Sequence, residues 1–563
     1  MEPGSRLRTN RTPERNTRLR ILAALLILLA AGCIPVSAAA TDPVSCPGCG
    51  MVWKDTCVPF ERNNETAYNE ELAAATAPVA ANLSTTLPDY SNQSWSDAFR
   101  SLNSLMKEQY AFTQWKSVDF DALSATYAPE ITRAEKDQDK AAYYRALRGY
   151  LYAIPDGHPD IVPTAGDFGA KYADIGGGFG IAVTRLDSGT VMVSYVANGS
   201  EAERAGVRFG DHVTAWNGRP VMDAINATSL IWAVKKPSTA EGILLQQQRL
   251  LARAPVGTRV SVTLAGRNGS GPRTISLTAY DDAFDTIKKT TWFLGKQVND
   301  IGAVDIFTGI QPQISNDTVT YRTLPGGYAY LAIYDESYAA YQPFRAAMLD
   351  AIAKKAPGMV LDFRYNSGGD DNIASCFAGW FVEKPVFYEY ATEYDPGSGR
   401  FTILSESWTQ PRPEGYRGPV AVLVSPDTLS SGEGLPMVFA KSGTGKIISW
   451  YGTNGAFGMN GPRAILPLGM YIFFPDGASL DQDRRVQVDS NGAREGGVAP
   501  QIRVPLNEQT VRRAMAGEDV QLACATKWLD DQQDLPAPAT PKASFGIALV
   551  LVALGLVSVR GRK

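Results

Sequence analysis

The sequence predicts a multidomain α/β protein, and two observations predict it. In the second half of the chain, short β-branched apolar runs alternate with stretches of helical periodicity, which is typical of parallel strands joined by helical crossovers. The chain has 563 residues, more than one hydrophobic core usually serves, so we expect two to four domains. Charged residues make up 20% of the chain, apolar residues 44%, and the net charge is −4. This composition is that of a globular protein and gives no reason to expect nucleic acid as a partner.

The first 40 residues predict a signal segment. Several arginines precede an apolar run at Ile21–Ala31, and small residues follow it. Two processing sites fit this pattern: Ala38-Ala39-Ala40 is a cleavage site of the A-x-A type, and Leu29–Cys33 loosely resembles a lipobox, which would place a lipid on Cys33. Because the apolar run is short for a permanent membrane span, we expect export.

A second apolar segment, Ala543–Val559, is followed by basic residues up to Lys563. Its length is at the short end for a transmembrane helix, and the basic residues would lie on the cytoplasmic side. Residues 529–541 predict a proline-rich, extended stalk, and residues 542–563 a transmembrane anchor. We therefore expect an extracytoplasmic body that is held at the cell surface by its C-terminal helix.

Sequons and cysteines agree with export. Acceptor sites for N-glycosylation occur at Asn64, Asn82, Asn92, Asn198, Asn226, Asn268 and Asn316. The cysteines beyond Cys33 are Cys46, Cys49, Cys57, Cys376 and Cys524. Outside the cell we expect them to form disulfides, with one thiol left over. Cys46-Pro-Gly-Cys49 has zinc-like spacing but lacks a second pair and a nearby histidine, so we expect neither a metal nor a cofactor. Residues 41–94 are predicted to be a cysteine-containing leader.

Residues 95–170 predict a helical region that ends in a loop. Aromatic and aliphatic residues recur at helical spacing up to Leu151, and core packing is sufficient to explain them. Pro155 then stops the helix and Asp156-Gly157 makes a turn, which places His158 on a loop. The chain contains only one other histidine, His212, so chemistry that depends on histidine has just two candidates.

Residues 171–285 predict a compact β-rich module. A glycine loop enters a strand at Gly178–Val183, further strands follow at Val191–Val196 and Val260–Leu264, and Val213–Val221 predicts a hairpin with an Asn-Gly turn. This pattern resembles a PDZ domain. The resemblance implies that the backbone of Gly178, Phe179, Gly180 and Ile181 holds the C-terminal carboxylate of a peptide, which would add a strand to the module. Some such modules instead only gate or orient a neighbouring domain.

Residues 286–528 predict the α/β domain. The runs Tyr328–Ile333, Gly358–Arg364, Ala421–Val424 and Ile447–Trp450 predict strands, and helical stretches lie between them. Ligands of parallel sheets bind at the carboxyl ends of the strands. Two of these ends carry Gly368-Gly369 and Ser430. A serine at a sharp strand-to-helix turn is exposed beside unpaired N–H groups and is suited to nucleophilic attack, although Ser430 or Ser431 could also simply cap the helix.

The arrangement from about Trp95 to Val504 resembles the C-terminal-processing (tail-specific) serine proteases. The matching features are a helical cap, the PDZ pattern, a strand ending in Leu-Asp-x-Arg-x-Asn-x-Gly-Gly and a strand leading to Ser-x-x-Glu. The resemblance implies a protease domain of the crotonase-like/ClpP-like spiral type. It also implies that Ser430 is the nucleophile and that Gly368, Gly369 and the N–H of Ser431 form the oxyanion hole.

The residue that would act as general base differs from the one used in the better-known branch of that family. That branch activates its serine with a lysine in a Thr-x-Gly-Lys element, which here reads Thr453-Asn454-Gly455-Ala456. The other branch, which resembles tricorn-type core proteases, uses histidine in an Asp-Gly-His pattern, and His158 matches it. In that branch a glutamate before Gly-Val-x-Pro orients the histidine, which points to Glu495. Glu433 competes for the acid role, although the first turn of a helix also suits it structurally.

Two functions remain open on the sequence alone. The first is an extracytoplasmic serine endopeptidase that acts on peptides or proteins through Ser430, His158 and Glu495. The second is a non-catalytic PDZ or apolar-ligand binding protein on the same fold, which the altered Ala456 position would fit. The joint presence of His158 and Glu495 favours the peptidase.

Overall fold

The computed structural model describes residues 87–162, 167–266, 271–295 and 318–533, together with two short strands, β1 (Val52–Trp53) and β2 (Thr56–Cys57). The predicted signal segment, most of the leader and the predicted anchor lie outside these residues, as do the sequons at Asn64, Asn82, Asn268 and Asn316. In the part of the chain that is described, no helix is both long and apolar enough to cross a membrane.

The predicted helical region contains three long helices. They are α1 (Trp95–Gln109), α2 (Phe120–Asp137) and α3 (Lys140–Ala153). Each begins where a short polar side chain accepts a hydrogen bond from a backbone N–H of the first turn, namely Ser94, Asp119 and Asp139. Their buried aromatic faces form a core, as the spacing predicts. After α3 the chain enters the loop of residues 154–159 and then strand β3 (Asp160–Val162).

The β-rich module has a five-strand path in the order β11-β10-β7-β6-β5, with β8 paired to β7. Its strands are β5 (Ile181–Arg185), β6 (Val191–Val196), β7 (His212–Trp216), β8 (Arg219–Pro220), β10 (Arg259–Leu264) and β11 (Arg273–Thr278). Its helices are α4 (Ala170–Ile175), α5 (Glu201–Arg204), α6 (Val221–Asn226), α7 (Ala240–Leu250) and α8 (Asp285–Lys288). Asn217 and Gly218 both have positive φ, which confirms the predicted Asn-Gly turn. Val221, predicted to be in a strand, instead begins α6.

A small three-stranded sheet closes the glycine loop of this module. Its strands are β4 (Gly177–Gly178), β9 (Arg253–Ala254) and β12 (Tyr280–Asp281), in the order β12-β4-β9. The backbone of Gly178 therefore has a partner strand on each side.

The α/β prediction is confirmed by a six-stranded sheet in the order β13-β14-β15-β18-β19-β22. The strands are β13 (Val319–Thr323), β14 (Ala329–Ile333), β15 (Met359–Asp362), β18 (Val420–Leu423), β19 (Lys446–Ser449) and β22 (Ile502–Arg503). From β14 to β22 the pairing is parallel. The connecting helices are α9 (Tyr338–Ala353), α10 (Asp371–Ala378) and α11 (Ser431–Ser442). The carboxyl ends of β14, β15 and β18 therefore lie at one edge, where α10 and α11 begin.

A second sheet, which the sequence does not reveal, adjoins this edge. It has the order β17-β16-β21-β20 and consists of β16 (Val386–Asp395), β17 (Arg400–Thr409), β20 (Gly458–Leu466) and β21 (Met470–Leu480). Strand β3 pairs with β21 through Ile161 opposite Ile472. This pairing fixes the loop of residues 154–159, and therefore His158, against the α/β domain.

Two helices follow the α/β domain, α12 (Glu508–Met515) and α13 (Val520–Gln533). Helix α13 continues beyond residue 529, where the sequence predicts an extended stalk to start. Arg364, buried at the end of β15, contacts Asp362 and also Asp519 just before α13, at 2.5 and 2.7 Å. Of the cysteines, Cys376 is disulfide-bonded and Cys524 is a free thiol.

Candidate active site

Ser430 lies in the turn between β18 and α11. The hydroxyls of Ser425 and Thr428 donate to the carbonyls of Arg364 and Phe363, at 2.5 and 2.7 Å, which fastens this turn to the end of β15. Ser430 itself has φ 57° and ψ −141°, a backbone conformation that costs a non-glycine residue about 1–3 kcal/mol. Its side chain makes no capping hydrogen bond to α11. The helix-cap explanation of Ser430 therefore lacks the bond that it requires, and its hydroxyl, on a partly exposed residue, remains available for chemistry.

The loop of Gly368 and Gly369 packs directly against this serine. A Cβ atom on Gly368, which has φ +94°, would lie 2.5 Å from the Cβ of Ser430 and 3.0 Å from the backbone nitrogen of Ser431. Only glycine allows this approach. Asn366 shapes the loop, because its Oδ1 accepts the N–H of Gly368 at 2.8 Å and its amide donates to Glu336 at 2.6 Å.

Two N–H groups beside Ser430 have no intramolecular acceptor within the described residues, those of Gly369 and Ser431. The N–H of Ser431 is unpaired because it belongs to the first turn of α11. The hydroxyl of Ser431 donates to the carbonyl of Gly369 at 3.0 Å, which ties the two residues together. Of the two predicted glycine donors, Gly368 is thus already engaged and Gly369 is available.

His158 is buried beside Asp156. Its backbone N–H donates to Oδ1 of Asp156 at 2.9 Å, and its Nδ1 lies 3.3 Å from the same oxygen. Neither ring nitrogen makes an aligned hydrogen bond to any described residue. Tyr110 donates its hydroxyl to the other carboxylate oxygen of Asp156 at 2.7 Å. Although burial acts to raise it, the pKa of Asp156 lies well below its usual range because Lys116 and His158 stabilise the charged form.

The segment 454–456 joins the histidine loop to the serine turn. A Cβ atom on Gly157 would lie 2.5 Å from Oδ1 of Asn454 and 3.0 Å from the Cβ of Ala456. The carbonyl of Ala456 accepts the N–H of Ser430 at 2.7 Å. Ser430 and Gly157, the residue before His158, therefore contact the same backbone segment, although 272 positions separate Ser430 from His158 in the sequence.

Glu433 holds this segment in place and has a structural role. Its carboxylate accepts from the backbone N–H groups of Gly455 and Ala456, at 2.8 and 2.9 Å, and from the hydroxyl of Thr453. Burial raises the pKa of Glu433 to about 8, while these hydrogen bonds oppose the rise. Ala456, where the lysine branch of the family has its base, is fully buried against Gly157. The histidine loop occupies the space beside it.

Glu495 is not brought to His158. It is exposed, and its carboxylate accepts from the amide of Asn491 at 3.1 Å within a turn of five residues. The side chain of the preceding residue, Arg494, which is only partly exposed, is the one that interacts electrostatically with Asp156. The predicted acid, Glu495, is thus an exposed residue of this turn, and its neighbour Arg494 is the residue that faces Asp156.

Several charged neighbours of His158 escaped the sequence analysis. Lys116 and Asp489 form a buried ion pair at 2.5 Å, and burial raises the pKa of Asp489 while Lys116 and His158 oppose the rise. Burial raises the pKa of Asp371, which follows the glycine loop, to about 6, again opposed by His158. Burial lowers the pKa of Lys236 to about 7. No local pattern marks these residues, because their partners are distant in the sequence.

The predicted peptide-binding loop is built into the β-rich module. Phe179 and Ile181 are buried in its core, and Gly180 has φ +72° with Ser200 directly behind it. Strand β5 is at the edge of the sheet, and α7 lies beside it, with Gln248 accepting the N–H of Arg185 at 2.7 Å.

Residues 327–504 match the sequence profile of Peptidase family S41. The chain carries a peptidase S41 domain. It is accordingly a serine-type peptidase, a hydrolase whose substrates are peptides or proteins. The matched residues include the serine turn, the glycine loop and Ala456, but not the loop of His158.

Solved structures similar to the chain include two of CPAF, one of the mature protein and one of a point mutant. They are each 12% identical, with TM-scores of 0.51 and 0.53, and cover 79% and 78% of this chain and 97% and 98% of theirs. These two likenesses concern the fold. The photosystem II D1 C-terminal processing protease is 18% identical, with a TM-score of 0.33, 76% of this chain covered and 99% of that chain. No curated protein matches the sequence significantly.

Proposed function

We propose that this protein is an extracytoplasmic, membrane-anchored serine endopeptidase in which Ser430 attacks the peptide bond and His158 is the general base. One observation carries the proposal. Ser430 is held in a strained conformation at the start of α11 without a capping bond, and the segment 454–456 that fixes it also supports the loop of His158. Strain of this kind is typical of functional sites.

The chemistry follows from these positions. The Ser430 hydroxyl adds to the carbonyl carbon of the substrate while its proton passes to Nε2 of His158. The N–H groups of Ser431 and Gly369 stabilise the oxyanion that forms, and loss of one such donor typically costs about 10²- to 10³-fold in kcat. His158 then gives the proton to the leaving amine, and water, deprotonated by His158, hydrolyses the acyl-enzyme. The absence of a hydrogen bond on Nε2 suits a free enzyme, in which such contacts tighten when substrate binds.

A fluorophosphonate probe tests the assignment directly. We expect wild-type protein to be labelled on Ser430, Ser430→Ala to be unlabelled, and His158→Ala to be labelled far more slowly. Ser442→Ala, at the other end of α11, is the matched control and should react as wild type. Undiminished labelling or substrate cleavage by Ser430→Ala would refute the proposal and favour a binding protein on the same fold.

The β-rich module, in this proposal, is a PDZ domain that binds peptide C-termini or gates the site. The edge position of β5 and the adjacent α7 support it. Cleavage of a peptide with a free C-terminus should then show a lower KM than cleavage of its C-terminal amide. Equal KM values for the two peptides would leave gating as the role of the module.

Export and anchoring rest on the sequence of both ends of the chain. The sequons at Asn92, Asn198 and Asn226 are exposed, as glycan acceptors must be. We expect the full chain to resist carbonate extraction from membranes and to be accessible to protease added outside intact cells. Release of the full-length chain by carbonate would contradict the anchor at residues 542–563.

A further inference from the structure

We propose that Asp156, and not Glu495, is the residue that positions His158. This inference rests on the proposed function, since it concerns how the base of Ser430 is oriented. A single buried carboxylate accepts the backbone N–H of His158 and lies 3.3 Å from its ring nitrogen Nδ1, while the side chain of Glu495 is exposed.

Three contacts hold Asp156 in place, two of them on its carboxylate. Its Oδ1 accepts the backbone N–H of His158 at 2.9 Å and faces Nδ1 of the ring at 3.3 Å. Its Oδ2 accepts the hydroxyl of Tyr110, a fully buried residue of the helical region, at 2.7 Å. The N–H of Asp156 itself donates to the carbonyl of Ile154 at 2.9 Å. Asp156 therefore cannot turn away from His158 without leaving two donors unsatisfied.

The surroundings keep this carboxylate charged although it is fully buried. Lys116, Lys236 and Arg494 all interact electrostatically with it. Lys116 also forms an ion pair with Asp489, so acidic and basic side chains are buried together around His158. A buried carboxylate without such neighbours would take up a proton and lose its effect on the imidazole.

A charged Asp156 beside Nδ1 decides which ring nitrogen carries the proton. Nδ1–H is favoured because it faces the carboxylate, and Nε2 keeps the lone pair that can accept the Ser430 proton. The same carboxylate stabilises the imidazolium that forms during attack. Asp156 touches neither substrate nor Ser430 in this scheme, so its role is positioning.

Glu495 fails the same geometric test. Its side chain is exposed, accepts from Asn491 and makes no hydrogen bond to His158. Its backbone is also fixed in the turn, since its N–H donates to Oδ1 of Asn491 at 3.1 Å and its carbonyl accepts the N–H of the same residue at 2.9 Å. Bringing the carboxylate to His158 would require this turn to rearrange.

The kinetic test compares Asp156→Asn with Glu495→Gln in the full-length protein. Asparagine keeps one acceptor, Oδ1, for the N–H of His158, but it replaces the oxygen that accepts from Tyr110 by an NH₂ group and removes the negative charge that favours Nδ1–H and the imidazolium. We expect kcat to fall on the order of 10³- to 10⁴-fold in Asp156→Asn with KM changed by less than about threefold. In Glu495→Gln we expect less than about a threefold change in kcat. A larger loss in Glu495→Gln than in Asp156→Asn would overturn the proposal.

The pH profile separates positioning from loss of structure. The ascending limb of kcat/KM reports the free His158, so removal of the adjacent anion in Asp156→Asn should move this limb to lower pH. If Asp156→Asn does not fold, Tyr110→Phe takes its place in the experiment, because it keeps the carboxylate and removes only one of its hydrogen-bond donors. Because its carboxylate is less well compensated, the limb should move to higher pH. An unchanged limb in whichever variant folds would contradict the coupling of Asp156 to His158.

A measurement that does not depend on activity separates this inference from the proposed function. The chain has only two histidines, so His212→Ala leaves His158 as the single source of [¹⁵N]histidine ring signals. In that background we expect a protonated Nδ1 with a downfield proton signal. Adding Asp156→Asn should remove this signal, and adding Tyr110→Phe should have the smaller effect of shifting it. An Nε2–H tautomer, or a signal that responds only to Glu495→Gln, would refute the role of Asp156. If the fluorophosphonate does not react but the Nδ1–H signal is present, the proposed function fails and the positioning stands.

Discussion

Replacing Gly368 by alanine probes the contact on which the serine site depends. Gly368 has φ +94°, a region that costs other residues about 1–3 kcal/mol. The added methyl group would also lie 2.5 Å from the Cβ of Ser430, whereas non-bonded carbons prefer about 3.5–4.0 Å. Such overpacking typically costs about 1–3 kcal/mol more. We therefore expect Gly368→Ala to lose about 2–6 kcal/mol of unfolding free energy, the sum of the two effects.

The same clash should impair the chemistry. To restore a normal contact, Gly368 and Ser430 must separate by about 1 Å, and a displacement of that size at a reacting group can cost about 10²-fold. We expect the second-order rate of fluorophosphonate labelling and kcat to fall by that order. Urea unfolding measures the stability, and labelling measures the nucleophile.

Gly443→Ala is the matched control because Gly443 ends the helix that Ser430 begins. Its φ is +71°, but a Cβ atom there would have no neighbour within 4 Å. It should lose only the backbone part, about 1–2 kcal/mol, and keep wild-type labelling. Equal stability losses and equal labelling rates in the two variants would refute the reasoning.

Three further predictions concern the supports of the site. Burial lowers the pKa of Lys236 from 10.5 to about 7, so the unfolded chain binds more protons than the folded chain between these pH values. The unfolding free energy of the wild type should therefore rise with pH across this range, by at most about 1.4 kcal/mol per pH unit. Lys236→Met should abolish this rise in urea titrations from pH 7 to 10, and an identical pH dependence in the variant would contradict the prediction. Arg364→Met leaves Asp362 and Asp519 buried without their cation and should cost about 3–5 kcal/mol in urea unfolding, so a neutral result would show that the two acids are protonated. Glu433→Gln places an NH₂ group against backbone N–H donors, so it should lower the unfolding free energy by about 1–3 kcal/mol and slow the labelling of Ser430. Labelling at the wild-type rate despite reduced stability would show that Glu433 does not support the reactivity of Ser430.

Much of the fold could be predicted from local sequence patterns. The capping side chains before α1, α2 and α3, the Asn-Gly turn and the buried runs of β14, β15 and β18 are each set by a few adjacent residues, and the structure contains them. Strand β16 was missed because residues on both of its faces are buried, so it lacks the alternation of polar and apolar residues that reveals a strand. Strand β21 was missed because it contains Pro475, Asp476 and Gly477, residues that are typical of turns.

The sequence by itself determined where a nucleophile could be, since the strand-to-helix turn at Ser430 and the glycines at 368 and 369 follow from short-range preferences of the chain. Tertiary structure alone decided what surrounds the base. Asp156 is bonded to Tyr110, 46 positions away, and Lys116 reaches Ser490 across 374 positions. In the turn after Ser490, Arg494 rather than Glu495 interacts with Asp156. These contacts depend on how separate elements pack, because a buried charge must find its partner wherever the fold places one, and no spacing in the sequence encodes that distance.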